Sequence, residues 1–578
     1  MRCLLMPPRA FALLVAAAVL PDAATAQAPV RFTEVAAELG IDFKVTYGAP
    51  QRPYVTDSGG VGGAWLDYDN DGRLDLALGN GLAGPSDRPY AATAASLAET
   101  PLAGSYDASG DLPRSGLFRN GPGEFHAVGN QANFAWSAWA NALAAVDVDN
   151  DGWTDIYVTT IGSNLVLRNN GDGTFSRWET GAEDPRWSTG AAFLDWDRDG
   201  DLDLYVANYV DFDASSTATL GDGVCNFLGI EVFCGPMGLA GSHDRFYENR
   251  GDRFEVWNQG VVDPDATFGF AALAVDCDGR DGQEIYVAND SNINLLYRAS
   301  ELGIEDLSLF SGAGFSGAGR EQAGMGIGAA DADGDGDTDL VVSNFQHDYN
   351  TFYENIGDCT FTDSSTRVGI AADSYEYMAW ANLFVDVDGD ADEDLVVVNG
   401  HLYPQLGDRG LQEYAQPTQP FLNQLRDGGT AAFRIEPATG DLSTARVGRG
   451  AAFGDFDNDA DADILIMPID GSPSILRNDS TDRLPALRLS LRGRTSSRTP
   501  YGARVVLTSG GVVQHRELRH GDGYLGANDP RLLFYLPGSQ AERIEVIWPS
   551  GEVTVLHDIG PRDVLIDELM GLVAVQAR

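Results

Sequence analysis

The sequence predicts an all-β chain: a seven-bladed β-propeller over residues 27–485, then a small C-terminal β domain over residues 486–578. Three observations predict it: an acidic motif repeated seven times, a β-like run on either side of each copy, and a second hairpin signature in most copies. Repeats come first because a fixed period decides the whole architecture.

The copies are DYDNDGRLDL from Asp67, DVDNDGWTDI from Asp147, DWDRDGDLDL from Asp195, DCDGRDGQEI from Asp276, DADGDGDTDL from Asp331, DVDGDADEDL from Asp386 and DFDNDADADI from Asp455. Small and apolar residues precede each copy (GGAWLD, TGAAFLD, GRGAAFGD), and a run such as LDLYVAN or DLVVSN follows. Short runs rich in Val, Ile and aromatics and bounded by Gly and Asp read as strands flanking a turn, so each acidic motif is a hairpin loop.

Further along, GLFRNGPGEF, LVLRNNGDGTF, RFYENRGDRFE and TFYENIGDCTF each show an aromatic run, an Asn, a Gly/Asp turn and a Phe, the signature of another hairpin. Two hairpins make the four antiparallel strands of a propeller blade, and seven units fall within the usual four to eight. The stretches that vary most (81–115, 209–243 and 400–418) fall between second and third strands, which puts them on one face, opposite the acidic loops. The fourth unit is weaker, with LLYRASELGIEDLSLF in place of the usual signature. The seventh lacks a fourth strand after SILRND, and RFTEVAAELGI at 31–41 is expected to supply it, removing an open edge. From about Ala486 short alternating runs without the acidic repeat indicate a separate β domain.

Acids at the first, third, fifth and ninth positions, with Gly at the sixth, present oxygens around a sharp turn. This suits Ca²⁺, which takes six to eight oxygens in irregular geometry. The expected ligands are Asp67, Asp69, Asp71 and Asp75; Asp147, Asp149, Asp151 and Asp155; Asp195, Asp197, Asp199 and Asp203; Asp331, Asp333, Asp335 and Asp339; Asp386, Asp388, Asp390 and Asp394; and Asp455, Asp457, Asp459 and Asp463. An EF-hand is excluded because it requires a Glu at position twelve and flanking helices, whereas Leu78, Val158 or Val342 stands there. Simple solvated turns are disfavoured, since two carboxylates about 5 Å apart repel by roughly 3 kcal/mol at an effective dielectric of 20. Units six and seven carry Ala391 and Ala460 where units one, two, three and five have Gly72, Gly152, Gly200 and Gly336, and are expected to bind more weakly. The fourth loop has Arg280 at position five, with Asp281, Gly282 and Glu284 after it, and is an altered site.

A formal charge of −48 argues against nucleic acid and anionic membranes as partners. The first residues carry Arg2 and Arg9, an apolar stretch from Phe11 to Leu20, and Ala24, Thr25 and Ala26, the pattern of a secretory signal cleaved after Ala26. The apolar run is shorter than the roughly 20 residues of a membrane span, and no later segment qualifies. The expected location is periplasmic or extracellular. Removal of Cys3 with the signal leaves Cys225, Cys234, Cys277 and Cys359. The first two bracket CNFLGIEVFC and are expected to pair; the other two either pair or stay buried and free.

The acidic hairpins preceded by FG or GAA resemble FG-GAP/VCBS-type repeats of the integrin α-subunit propeller kind. YGARVVL (501–507), HRELRHGDGYLGAND (515–529) and VIWPSGEV (546–553) resemble an ASPIC/UnbV domain. Together they resemble the cartilage acidic protein family. That resemblance implies calcium binding and loosely suggests matrix contacts. The chain departs from the family pattern at Gly526 and Ala527 and at Phe534, Tyr535 and Leu536.

No HExxH, CxxCH or GxSxG occurs, and the seven His are scattered. His347 and His401, with Tyr349 and Tyr403, fall in second-to-third-strand loops, where solvated residues are the favoured reading over a pocket lining. Trp136, Trp139, Trp178, Trp187, Tyr375, Tyr377 and Trp380 precede first strands, and packing between blades is favoured over stacking on a sugar. The function expected is that of an exported, non-catalytic calcium-binding propeller presenting loops to an extracellular protein or glycan. The alternative is an extracellular lyase or oxidoreductase using a pocket on the face opposite the calcium loops.

Overall fold

Residues that are small and apolar before each acidic loop, and β-branched after it, do form paired strands in the computed structural model. It describes residues 29–576 apart from 50–51, 83–112, 214–215, 258–265, 281, 301–302, 426–431 and 436–438. The signal expected at 1–26 lies outside the described residues.

In unit one Gly63–Leu66, Asp75–Leu78, Gly116–Asn120 and Phe125–Ala127 pair in that order as an antiparallel sheet. Units two, three and six repeat this order, beginning at Ala140–Val146, Ser188–Leu194 and Ala379–Val385. Unit four (from Gly269–Val275) and unit five (from Gln322–Ala330) do the same, joined where Asp290 pairs with Ala323. The weak signature of unit four folds as a hairpin of Leu295–Ser300 and Gly303–Asp306. In unit seven the chain's own strands are Gly448–Gly454, Asp463–Pro468 and Ser474–Asn478, and Arg31–Glu34 pairs antiparallel with the last, Phe32 opposite Asn478. The N-terminal strand therefore covers the edge that unit seven leaves open.

First strands touch one another in chain order, and the first strand of unit one touches that of unit seven. Their crowding explains the small residues: a Cβ on Gly326 would lie 2.1 Å from the Trp380 carbonyl oxygen. Of the aromatic residues before the first strands, Trp136, Trp139, Trp187 and Trp380 are buried as expected, whereas Trp178 and Tyr377 are half-buried and Tyr375 is exposed. Arg449 is wholly buried with its guanidinium 4.0 Å over the Trp380 ring, donating to the carbonyls of Ser58, Gly400, Gly448 and His401.

The C-terminal segment forms two four-stranded sheets. One has the order Leu532–Tyr535, Ala486–Arg492, Asp563–Asp567, Gly571–Gln576; the other has Val512–Glu517, Arg504–Ser509, Ala541–Ile547, Val553–Ile559. Leu487, Leu507, Phe534, Ile544, Trp548 and Ile566 share a core between them.

The segment departs from a free-standing unit at residues 520–527. There the chain leaves its sheets and enters the space between the first strands of the repeats. Ala274 N–H donates to the His520 carbonyl, Ile327 N–H to Gly523, Leu143 N–H to Leu525 and Trp65 N–H to Ala527. A Cβ on Gly62 would lie 1.7 Å from the Leu525 carbonyl oxygen, so Gly is required where the two chains meet. Backbone groups of first strands that no sheet partner reaches are thereby satisfied.

Candidate metal centres

Each acidic loop joins the first two strands of its unit. The first acid follows the first strand directly, and the ninth-position acid begins the second: Asp75, Asp155, Asp203, Asp339, Asp394 and Asp463 each open their strand. The loop bends twice through left-handed backbone. Position four is Asn70, Asn150, Arg198, Gly334, Gly389 or Asn458, and position six is Gly72, Gly152, Gly200, Gly336, Ala391 or Ala460, all at positive φ. The second bend was legible as a Gly; the first was not singled out, although Asn and Gly recur there and both tolerate this region.

Backbone N–H groups orient the acids. Asp67 accepts from Asp71 and Gly72 at 2.9 and 2.8 Å, and Asp147 accepts from Asp151 and Gly152 at 3.1 and 2.9 Å. The ninth-position Asp accepts from two sides. One Asp75 oxygen takes the Tyr68 N–H at 3.1 Å and the other the Asn120 N–H at 2.8 Å, and Asp155 and Asp203 repeat this with Val148 and Asn169 and with Trp196 and Asn249.

The Asn that ends the third strand in every unit but the fourth therefore belongs to the site, a role that a hairpin signature alone does not reveal. Its side chain also reaches the preceding unit. Asn169 donates to the Tyr68 carbonyl, Asn249 to Val148, Asn355 to Cys277, Asn423 to Ala332, Asn478 to Val387 and Asn120 to Phe456. The recurrence of the Asn at the close of the third run (GLFRN, LVLRN, RFYEN, TFYEN, QPFLN, SILRN), whatever the length of the loop before it, is the sequence signal for it.

The predicted acids do converge. In Asp67, Asp69 and Asp71, in Asp147, Asp149 and Asp155, and in Asp195, Asp197 and Asp199, one oxygen from each lies within 4.8 Å of the others. Further buried oxygens of Asp69, Asp201 and Asp331 accept no hydrogen bond among the described residues. Burial, followed by the like charges alongside, pushes Asp147 up to about 7 and Asp195 to about 6, and burial pushes Asp75, Asp155 and Asp203 up to about 8. Desolvated carboxylates without enough donors are an arrangement a hard cation with oxygen ligands would satisfy, so the donor set fits Ca²⁺. Position seven adds Asp201, Asp337, Asp392 and Asp461 in four loops, acids not counted in the expected ligand set.

Unit four differs in kind. Asp276, Asp278 and Glu284 converge as elsewhere, but Arg298 lies 3.0 Å from Asp278 and 3.1 Å from Glu284, and Arg504 of the C-terminal segment lies 3.0 Å from Asp276. Guanidinium groups stand among these acids.

The C-terminal sheets cover the acidic-loop side. Arg488 ion-pairs with Asp455, Arg531 donates to the Asp455 carbonyl at 2.8 Å, Arg498 N–H donates to Asn150 at 2.7 Å and Arg516 lies 3.0 Å from Glu393. The variable loops meet one another elsewhere. Cys225–Phe227 and Ile230–Val232 form a hairpin closed by the Cys225–Cys234 disulfide, and Phe227 packs on Phe345, His347 and Tyr403 of units five and six. The variable stretch at 81–115 lies mostly outside the described residues. Cys277 and Cys359, left open by the sequence, form a second disulfide. His401 is not the solvated residue expected. It is fully buried, accepts the Tyr403 N–H on Nδ1 and faces Gln346 Oε1 at 3.0 Å through Nε2, and burial pushes it down to about 4.

Comparison with known proteins bears on both halves of the chain. Residues 147–206 and 331–397 match the model of the FG-GAP-like repeat, and residues 493–567 match that of ASPIC and UnbV. Human cartilage acidic protein 1 is 25% identical over 493 residues, 73% of this chain and 72% of its own, and the mouse protein is 25% identical over 476 residues, 71% and 70% respectively. Among solved structures, BBS1N in complex with ARL6DN aligns over 74% of this chain and 93% of its own at 11% identity and a TM-score of 0.36, too loose a likeness to bear on the fold. The chain thus contains FG-GAP-like repeats and, after them, a segment that matches ASPIC and UnbV, and it is similar to cartilage acidic protein 1 over about 73% of its length.

Proposed function

We propose that this chain is an exported calcium-binding protein: a seven-bladed β-propeller over residues 27–485, plugged and capped by a β domain over 486–578, presenting its second-to-third-strand loops to an extracellular protein or glycan. The observation that carries the calcium assignment is the set of buried carboxylate oxygens in the acidic loops that accept no hydrogen bond among the described residues, as in Asp69 and Asp331. Closure into a propeller is supported by the cyclic order in which first strands touch, with the first against the last. Export is supported by the two disulfides, and no helix among the described residues is long and apolar enough to cross a membrane. The disulfide-closed hairpin carries the exposed Val224 and Leu228, and Tyr375 is exposed beside His347, a surface suited to a partner.

Calcium when bound supplies positive charge at each loop; this chain's residues supply oxygens and hold them in place. Asp67 and Asp147 are aimed by the N–H groups of positions five and six, and the ninth-position Asp by the third-strand Asn. Extracellular calcium sites have dissociation constants of about 10⁻⁴ to 10⁻³ M, so tenfold excess calcium adds roughly 1.4 kcal/mol per site to folding. The test is thermal melting after exhaustive metal removal. The midpoint is expected to fall by many degrees, to be restored by calcium and to be restored poorly by magnesium. An unchanged melting curve overturns the calcium assignment. A glycan and secreted-protein binding screen, run with calcium and with chelator, tests the presentation of loops.

A further inference from the structure

A cavity of about 420 Å³ lies between the acidic loops of units one and two and the C-terminal sheet that contains Ala486–Arg492. Five arginines stand on its walls, in a chain with 38 Lys and Arg against 86 Asp and Glu. Three are neutralised: Arg73 by Asp71, Arg488 by Asp455 and Asp563, and Arg531 by Asp529. The other two, Arg492 and Arg498, make no ion pair among the described residues, and neither side chain has a hydrogen-bond partner there. In so acidic a protein that is not the default, since a partner for almost any arginine is close by.

The acids on the same walls do not fill this role. Asp529 and Asp563 are held in the pairs just given. Asp67 and Asp147 accept backbone N–H groups of their own loops. Arg492 and Arg498 are the two guanidinium groups of the cleft that no carboxylate among the described residues pairs. Burial first, then the neighbouring guanidinium groups of Arg498 and Arg494, disfavours the charged form of Arg492, and the more weakly acting Asp567, itself paired with Arg494, does not offset them. Ser490 and Thr499 add hydroxyls to the lining.

We propose that this cleft binds a small anionic ligand of sugar size, its sulfate ester or carboxylate held between Arg492 and Arg498. A guanidinium presents paired donors that match an oxyanion in plane. The volume lies within the range of small-molecule sites, about 300–1,000 Å³, and exceeds what an inorganic ion fills, while the hydroxyls suit a polyhydroxylated body. The proposal does not depend on cations in the loops.

Isothermal titration of the full chain at low salt with glucose 6-sulfate, glucuronate and glucose tests it. Saturable binding of at least one of the two anions, with none of glucose, is expected, and the stronger anion identifies the charged group. The double variant Arg492→Gln/Arg498→Gln should bind at least about tenfold more weakly, as loss of charge-assisted hydrogen bonds implies. It should also melt no lower than the parent, because it removes two crowded and unpaired charges. Arg543→Gln, which removes an exposed arginine paired with Glu545, should bind as the parent does. Absence of binding by either anion, glucose binding as tightly as the anions, or unchanged affinity in the double variant overturns the proposal. Should the double variant prove unstable, Arg498→Gln alone decides by the same criterion.

Discussion

The side-chain amide of Asn120 donates a 2.8 Å hydrogen bond to the main-chain carbonyl of Phe456, 336 residues away. The same amide donates at 3.0 Å to the Leu74 carbonyl, and the Asn120 N–H holds Asp75. One side chain thus ties the third strand of unit one to its own acidic loop and to the loop of unit seven. Five further units make the same link to the unit before, so Asn120 closes a series that otherwise runs along the chain.

Asn120→Ala is expected to lower stability by about 2–4 kcal/mol, because two buried carbonyls lose their donor. Asn120→Asp preserves the shape but removes the donor, and should cost at least as much. Urea unfolding of both variants checks this; a parent-like Asp variant would mean that the side chain acts by packing alone.

Tyr524 carries the second link between distant parts. Its ring stacks on Phe270 with centroids 5.6 Å apart and lies 5.5 Å from Trp380, and its hydroxyl donates to the Gly59 carbonyl at 3.1 Å. Tyr524→Ala should cost about 3–5 kcal/mol, as for other large aromatic truncations in cores. Tyr524→Phe should cost about 1 kcal/mol, the worth of one hydrogen bond. If the segment at 520–527 were only loosely placed between the repeats, both variants would melt alike.

The acidic loops, their flanking strands, the N-terminal strand on unit seven and the Cys225–Cys234 pairing were legible because each rests on local rules: turn residues, alternation, an edge left without a partner. Tyr524 was not. GDGY stood out as a motif, but what it packs on is spread over units one, four, five and six, and no periodicity reports a contact of that separation. Arg488 and Arg504 were missed for the same reason: Asp455 and Asp276, the loop acids they pair with, lie upstream in the repeats, so their charges look solvated in sequence. The Asn ending the third strand in every unit but the fourth was visible but misassigned, since a turn accounts for an Asn as well as a clasp does.

Ala391 and Ala460 adopt φ of 79° and 69°, where units one, two, three and five place Gly. A Cβ there costs roughly 1–2 kcal/mol, partly offset because Gly loses more entropy on folding. Ala460→Gly is therefore expected to stabilise by about 1 kcal/mol. The reverse change in unit one, Gly72→Ala, meets no atom within 4 Å of the new Cβ, so it isolates the backbone term and should destabilise. Chemical denaturation of the pair checks the sign; a destabilised Ala460→Gly would show that the methyl group packs more than it strains.

His520 supplies a pH dependence free of the acidic loops' own chemistry. Its ring is buried edge-on to Phe193 and Tyr501, at 5.3 and 5.4 Å, and neither nitrogen has a hydrogen-bond partner among the described residues. Burial pushes it down to about 4, against 6.5 for an exposed imidazole. In this window the unfolded chain binds a proton that the folded chain refuses, so the contribution is intact above pH 6.5 and is lost as pH falls through 6.5 toward 4. At pH 5 the loss is roughly 2 kcal/mol, from a shift worth 1.36 kcal/mol per unit. His520→Leu keeps an apolar group of similar bulk and cannot titrate. Its stability relative to the parent should rise between pH 7 and pH 5 by about that amount. Stability curves of the two proteins at both pH values, with calcium held saturating, decide the matter, and parallel curves would mean that the imidazole takes up its proton without leaving the fold.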